Sequence, residues 1–502
     1  MLLQYREKLL LAVLSGFMLT ASFPPGHLSL VAWVAFIPLL RSLEGLSGKQ
    51  ALTSGFCFGL AHNLSLVYWV VFVMQHYGNL PIAASVAILL LLAMYLALYP
   101  AVFSLLLHYP SGSFSSFKLA GLWVFLEFVR ANVLTGFPWC LVGHSQYLAL
   151  PFIQIADLVG VYGISFLVLF FNAVLYRLLF HRPQKVFLPE LAGAILMLGL
   201  TLAYGYHRLL ETPEQRGSLK VTIVQGNIDQ SIKWHPSYQA ETVKIYGILS
   251  LSSNPFAPDI VIWPETAAPL FFQDGEEPAL RILENIRQSG AYFIFGSPAY
   301  AKHGDSTFYY NRAYLVSPAG KVMDAYDKVH LVPFGEYVPL KRYLPFIDRL
   351  VISAGDFKPG EKLVPMSIPK ARIGVLICYE SIFPELARAM TRNGADILVN
   401  LTNDAWYGMT SAPYQHFSMA VFRAVENRRP LVRAANTGFS AFINTRGKIT
   451  QITDLFSEAV LNREQVLEKT RMTVYTRYGD FFPLCLAGLS LLQAGFFLYH
   501  KR

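Results

Sequence analysis

Two apolar stretches enclose an ordinary soluble sequence, and that order constrains the fold more than any other feature. From Leu9 to Tyr206 charges are sparse. From about Glu211 to Arg477 the chain reads as a water-facing α/β domain, and from Phe481 to Tyr499 it is apolar again. Only 15% of the residues are charged, against about 25% in a soluble protein, and the shortage is concentrated in these stretches. A multi-span membrane region, a soluble domain and one closing span follow.

The span-like segments are Leu9–Phe23, His27–Leu40, Ala51–Met74, Pro81–His108, Leu119–Trp139, Phe152–Phe180, Val186–Tyr206 and Phe481–Tyr499. The first two fall short of the roughly 20 residues a span needs. With Pro24-Pro25-Gly26 between them they read as a tight hairpin or as partly re-entrant. A signal peptide is the competing reading of the first, but no small-residue cleavage site stands out and the hydrophobicity resumes at once. The expected organisation is a membrane domain over 1–210 with about seven helices, a soluble domain over 211–478 and a closing helix over 479–502.

Loop charge orients these spans. Arg6, Lys8, Arg41, Lys49, Lys118, Arg177, Arg182, Lys185, Lys501 and Arg502 all fall on one side if seven spans precede the soluble domain and one follows. The opposite short loops, such as Gln75–Leu80, carry no Lys or Arg; Arg208 is an exception that leads into a large domain, where the rule is weak. Both termini are then cytoplasmic and the soluble domain lies on the outer face. Topology thus accounts for much of the formal charge of +9, and no zinc-finger spacing, RNP motif or basic helix is present, so nucleic-acid binding is not expected.

Of the four cysteines, Cys57, Cys140 and Cys485 lie in or beside apolar segments. Cys378 stands alone in the soluble domain, which marks it as a free thiol in an oxidising compartment.

Within that domain, short apolar runs at Leu219–Val224, Ile260–Trp263, Tyr292–Gly296, Ala313–Val316, Arg372–Ile377, Ile397–Asn400 and Ser440–Ile443 predict buried strands. Helical patterns intervene at Pro278–Gln288, Pro384–Arg392 and Pro413–Asn427. The segment Ala325–Pro339 fits neither pattern and reads as a long functional loop. Its apolar continuation, Val338–Leu350, is a candidate lid.

Three segments carry residues suited to chemistry. Val261-Ile-Trp-Pro-Glu265 ends a buried run in an acid, Lys328 is followed eight residues later by Glu336, and Arg372-Ile-Gly-Val-Leu-Ile-Cys378-Tyr379-Glu380 ends a strand in a thiol. A carboxylate can take the thiol proton, and a lysine can stabilise an oxyanion. A strand-to-helix elbow would add the Tyr379 N–H as a second oxyanion donor and lower the thiol pKa through the following helix. Each residue also has a plain reading. A cysteine after Val-Leu-Ile is commonly a small core residue, Glu265 a helix-initiating acid, Lys328 a solvated surface lysine, and Glu336 a turn cap or a partner of Lys341.

Taken together, Trp-Pro-Glu265, Tyr326-Asp-Lys328-Val-His-Leu-Val-Pro-Phe-Gly-Glu336 and Ile377-Cys378-Tyr-Glu380 resemble the Glu–Lys–Cys motifs of the nitrilase (carbon–nitrogen hydrolase) superfamily. The resemblance implies an α-β-β-α sandwich. With the flanking spans, the whole chain is similar to the branch of that superfamily that acylates lipoproteins at the bacterial inner membrane. What that implies is a thioester on Cys378, Glu265 as general base and acid, Lys328 as electrostatic stabiliser, and Glu336, Tyr379 and Glu380 in support. It implies a phospholipid acyl donor, typically phosphatidylethanolamine, a diacylated apolipoprotein as acceptor, a monomer in contact with membrane lipids, and no cofactor or metal.

The same resemblance extends to Gln225-Gly-Asn-Ile-Asp-Gln-Ser-Ile-Lys-Trp234, whose tryptophan would line the site, and to Asn403-Asp-Ala-Trp406-Tyr-Gly408, which would shape the pocket. It also covers Phe137-Pro-Trp139, near a substrate entrance, although Trp139 equally reads as an interfacial anchor. Two other classes compete: a membrane-tethered amidase using the same three residues, and a transporter or receptor, for which Glu127 and Arg130 in the fifth span are the relevant ionisable pair. Reporters fused after Lys185 and after Gly217 should read out on opposite membrane faces; both on one face would overturn the orientation.

Overall fold

A computed structural model describes residues 2–26, 28–108, 115–181, 187–338, 357–469 and 471–489. Contacts divide the chain into two units: Met1–Phe72, Pro81–Glu211 and Tyr478–Arg502 in one, Val73–Leu80 and Thr212–Arg477 in the other.

In the first unit, three described helices are long and apolar enough to cross a membrane: Ile82–His108, Ala156–Phe180 and Leu188–Leu210. Gly48–Leu66 and Trp69–His76, bent by 50° at a short break, make a fourth if they are one span. Ile82–His108 leaves Leu90, Leu91, Leu98 and Leu106 uncovered, and Leu188–Leu210 leaves Leu188, Ile195, Leu196 and Leu200. So much bare aliphatic surface suits hydrocarbon rather than water. Ile82–His108 approaches Gly48–Leu66 closely because Gly55 and Gly59 share one face. A Cβ at Gly55 would lie 2.3 Å from the Pro100 carbonyl oxygen, and one at Gly59 would lie 2.8 Å from Ala97 Cα.

Several hydropathic segments differ from the helices they become. The first helix begins earlier, at Leu2, and ends at Ala21. The second segment is two short pieces, a 3-10 turn over Ser29–Trp33 and a helix over Ile37–Leu43. The fifth stops as a helix at Asn132. The apolar run continues, but Leu134 and Gly136 adopt positive φ, which ends regular helix. Of the last segment, residues 481–489 are helical and the remainder lies outside the described residues. Glu127 and Arg130 are buried without forming an ion pair to each other: Glu127 accepts the Val142 N–H at 2.8 Å, and Arg130 donates to the Trp139 carbonyl at 3.3 Å. They tie down the loop that follows their own helix, the demand that unpaired backbone makes in an apolar setting.

The second unit holds two six-stranded sheets. The first is built from β1 (Gln215–Gln225), β2 (Ile260–Ile262), β3 (Tyr292–His303), β4 (Ser306–Val316), β5 (Val322–Asp327) and β12 (Ala459–Glu468). Its order is β12-β1-β2-β3-β4-β5. The second comprises β6 (Met366–Ile368), β7 (Ala371–Ile377), β8 (Ile397–Thr402), β9 (Leu431–Ala435), β10 (Ala441–Ile443) and β11 (Ile449–Ile452). Its order is β11-β10-β9-β8-β7-β6. In each sheet the pairs β1–β2–β3 and β7–β8–β9 are parallel and the flanking pairs antiparallel. Parallel strands carry side chains into packed layers on both faces, which is why their sequences are continuously apolar rather than alternating.

Helices Pro236–Leu251 and Glu277–Ser289 cover one face of the first sheet, where Trp263 stacks on Tyr246 at 5.1 Å amid Val224, Val261, Phe293 and Phe295. Helices Pro384–Arg392 and Ala412–Asn427 pack on the second sheet. Between the sheets, Gln225 of β1 accepts from Ser440 and Thr453 at 2.6 and 2.9 Å. The layers are thus helix, sheet, sheet, helix.

The long segment read as loop from Ala325 differs at its start. Ala325, Tyr326 and Asp327 complete β5, paired with β4 and locked by the Arg312–Asp327 ion pair at 2.6 Å. β5 faces solvent over most of its length, so its sequence lacks the apolar run of a buried strand. The candidate lid, apart from Val338, lies outside the described residues.

Gly296 of β3 lies directly behind the turn that follows β2. A Cβ there would lie 2.4 Å from the Thr266 nitrogen and 2.8 Å from Glu265 Cα, both backbone atoms. Gly296→Ala should therefore destabilise by about 1–3 kcal/mol and lower activity more than the stability loss accounts for, read by thermal melting beside an activity assay.

Candidate active site

The local structure of Trp263-Pro264-Glu265 explains where Glu265 points. Past β2 the backbone still pairs with β3, through Trp263 N–H to the Ile294 carbonyl (2.9 Å) and Gly296 N–H to the Pro264 carbonyl (3.1 Å). The indole is pinned in the core by its N–H to Ser250 Oγ at 2.8 Å. Thr266 then turns with φ +45°, and Glu265 is left buried just past the C-terminal end of β2.

Lys328 follows the last residue of β5, with its N–H on the Asn311 carbonyl at 2.9 Å. Its side chain is 1% exposed and its Nζ lies 3.0 Å from Glu336 Oε1 and 3.4 Å from Glu265 Oε1. Asn311 of β4 donates from one Nδ2 to both carboxylates, at 2.8 Å each. The second oxygens are also used. Glu265 Oε2 accepts the Asn403 N–H at 3.1 Å, and Glu336 Oε2 accepts the Val332 N–H at 2.8 Å, closing its own loop. Burial works against the Lys328 charge, but Glu336 and Glu265 outweigh it and hold the pKa above the ordinary lysine value. Lys328 is thus a fixed cation, not a surface lysine.

Cys378 is the first residue past β7 and has φ +52°, the left-handed region that side chains with a Cβ avoid. It is a free, buried thiol. Burial first, then Glu265, pushes its pKa up, against Lys328 and Thr402. The expected depression by the following helix is not what the geometry gives. A 3-10 turn over Cys378–Ile382 intervenes and the helix begins only at Pro384, so its dipole is displaced from the sulfur. Burial and Glu265 thus favour the protonated thiol, and Glu265 is the carboxylate whose charge acts on it most.

Glu380 clamps the lysine and cysteine segments together. It accepts Tyr326 O–H at 2.9 and 3.0 Å, Val329 N–H at 2.7 Å and His330 N–H at 3.1 Å from the lysine segment, and Ile377 N–H at 2.7 Å from the cysteine segment. Tyr379 is buried against Phe383, 5.1 Å between ring centroids.

The remaining sequence candidates divide. Trp234 is 44% exposed beside the site, with the Lys233 ammonium 5.9 Å from its ring centroid. Trp406 is half-buried, its ring 4.8 Å from Tyr77, whose hydroxyl donates to the Ala405 carbonyl at 2.9 Å. The side chain of Asn403 is engaged by Gln230 (2.6 Å) and Asn436 (3.1 Å), so this residue braces Glu265. Trp139 belongs to the other unit, fully buried against Trp69 at 4.8 Å, and is not an exposed interfacial anchor.

Two residues escaped the sequence reading. Asn311 carried one signal, a short polar side chain inside an aromatic strand run, where Asn is disfavoured. Lys233 is buried, donates to Thr266 Oγ1 at 2.8 Å, and is pulled down to about 7 by burial, with Glu265 opposing.

The family model for the apolipoprotein N-acyltransferase N-terminal domain matches residues 15–174, and that for carbon–nitrogen hydrolases matches residues 220–474. An apolipoprotein N-acyltransferase of Geobacter metallireducens is 48% identical over 97% of this chain and 95% of its own. One from Pasteurella multocida is 32% identical over 97% and 94%. A nitrilase-superfamily amidase from Nesterenkonia, 18% identical, superposes with a TM-score of 0.39 over 53% of this chain and 96% of that one.

Burial raises the Glu380 carboxyl to about 7, against the Ile377 and His330 N–H groups, Lys328 and the Val329 N–H. Its partners are all donors, so the ionised form is the one they match, and protonation on the acid side removes acceptor capacity. Activity should fall as pH drops through about 7. Glu380→Gln should be about tenfold less active, the value of one charge-assisted hydrogen bond, and should lack that limb in a pH–rate profile. Lys233 titrates in the same range, and a limb that persists in Glu380→Gln belongs to another group.

Matched by family models along both halves and by relatives over nearly its whole length, the chain belongs to the apolipoprotein N-acyltransferase family.

Proposed function

We propose that this chain transfers an acyl group from a membrane phospholipid, phosphatidylethanolamine being the expected donor, to the α-amino group of the S-diacylglyceryl cysteine that begins a processed bacterial lipoprotein. One juxtaposition carries the reading: a buried ammonium, Lys328, shared by the carboxylates of Glu265 and Glu336 and facing the thiol of Cys378 at a left-handed turn. Family membership supplies the acceptor class.

In the first step Glu265 takes the Cys378 proton as sulfur attacks the ester carbonyl carbon. Lys328 and the Tyr379 N–H hold the oxyanion. The carbon–oxygen bond breaks, Glu265 protonates the departing lysophospholipid alkoxide, and a thioester remains. In the second step the neutral α-amine attacks the thioester and gives a proton to Glu265. Collapse of the tetrahedral adduct forms the amide and releases the thiolate, which recovers that proton. Glu336 and Glu380 hold Lys328 and the nucleophile in register. Trp234 and Trp406 are the proposed substrate contacts beside them.

Both proposed substrates are anchored in lipid, which accounts for the membrane unit. We place the protein in the bacterial inner membrane as a monomer, with about seven spans before the catalytic unit and one after it, over 1–210, 211–478 and 479–502. The basic loops face the cytoplasm with both termini, and the catalytic unit faces the periplasm. The three long apolar helices, and the bent pair that makes a fourth, support a membrane region of this kind.

Incubation with labelled phosphatidylethanolamine should give an acyl adduct on Cys378 that hydroxylamine removes and a diacylated lipopeptide discharges, read by mass spectrometry. Cys378→Ser should give no hydroxylamine-sensitive label; a label that persists removes Cys378 as nucleophile. Glu265→Gln should slow acylation by about 10²–10⁴-fold with the fold retained. Ammonia release from a small amide, with no transfer to lipopeptide, would favour an amidase instead.

A further inference from the structure

The backbone carbonyl of Cys378 is held by an unusual number of side chains. Ser381 Oγ donates to it at 3.0 Å, His416 Nε2 lies 3.2 Å away and Asn400 Nδ2 lies 3.3 Å away. Behind them is a charged cluster. Arg433 donates from Nη2 to Asp404 Oδ2 at 2.8 Å and lies 3.0 Å from His416 Nδ1, and its Nη1 donates to Asn400 Oδ1. Asp404 also accepts from Thr402 Oγ1 at 3.1 Å. None of these side chains exceeds 1% exposure. Burying so much polarity is costly unless every member is matched.

The Cys378 carbonyl oxygen only accepts, so His416 donates to it from an Nε2 that carries hydrogen. Nδ1 lies 3.0 Å from both Arg433 Nη2, which only donates, and Asp404 Oδ1, which as a carboxylate only accepts. Burial and Arg433 lower the His416 pKa, and Asp404 and the Cys378 carbonyl oppose them.

A peptide unit is planar and trans, so the Cys378 carbonyl and the Tyr379 N–H point in opposite directions from one rigid plane. Holding the carbonyl on one side aims the N–H to the other. We propose that Asp404, His416 and Arg433, acting through Asn400 and Ser381, are positioning residues that aim the Tyr379 N–H at the reacting carbonyl oxygen. This rests on Cys378 being the nucleophile. The left-handed Cys378 backbone is the strained element they hold in place. Hydrogen bonds to the carbonyl also polarise the peptide and strengthen its N–H as a donor. Arg433 reaches this cluster from β9 and His416 from the helix Ala412–Asn427, so the second sheet and its covering helix act on the oxyanion site through one peptide bond.

The test separates oxyanion stabilisation from thiol reactivity. Ester acylation needs the oxyanion donor, whereas alkylation by iodoacetamide needs only the sulfur. In the full-length protein, two rates are measured at the Cys378 peptide by mass spectrometry: acyl-enzyme formation from phosphatidylethanolamine, and alkylation. His416→Leu should slow acylation by about 100-fold, the scale of losing one oxyanion donor, and leave alkylation unchanged. His416→Gln, which can still donate to the carbonyl, should recover part of the loss. Ser381→Ala, a smaller perturbation, should change the same ratio in the same direction and serves if His416→Leu does not fold. Unchanged acylation, or acylation and alkylation falling together, overturns the proposal. An acyl label that persists in Cys378→Ser overturns the nucleophile assignment instead.

Discussion

Everything around the catalytic centre depends on keeping one ammonium charge out of water. Lys328 is buried, and an isolated buried charge would be intolerable. Two carboxylates and the bridging Asn311 amide make it tolerable; with Lys328 at the end of β5, they come from the end of β2, the middle of β4 and the loop after β5. Removing one partner of such a pair typically costs about 3–5 kcal/mol, because the other charge is left uncompensated. The charge network therefore forces four separate chain segments into one geometry. A preorganised cation is also what a developing oxyanion requires, since nothing has to reorient when charge appears.

The cysteine side is held by the opposite logic. Here buried anions, Glu380 and Asp404, collect donors from several segments. Glu380 binds the lysine segment to the cysteine segment, and Asp404 anchors the arginine and histidine behind the Cys378 carbonyl. Burial and the Glu265 charge favour the protonated thiol.

Much of the fold was legible from residue order. Continuous apolar runs located β1, β2, β3, β7 and β8, and the helices Pro384–Arg392 and Ala412–Asn427 fall where periodicity put them. β5 escaped because it is largely solvent-exposed, β12 because it is only partly buried along most of its length, and β9 because Arg433 interrupts it. Hydropathy located apolar segments but not their breaks: the second segment is two short pieces and the third bends by 50°, because backbone conformation at a few residues decides continuity.

Sequence by itself determined the residue types and their order: an acid after Trp-Pro, a lysine eight residues before a second acid, a thiol at a strand end, and apolar segments joined by short loops, several of them basic. Only the tertiary structure decided which of these meet. Asn311, Lys233, Asp404, His416 and Arg433 lie far from Glu265 or Cys378 in sequence, or sit among neighbours that give them plain structural readings. Their significance lies in hydrogen bonds of about 3 Å across two sheets, a scale no local pattern encodes. Whether the thiol is acidic or protonated was likewise a tertiary matter, because burial and the neighbouring Glu265 carboxylate outweigh a helix that starts six residues away.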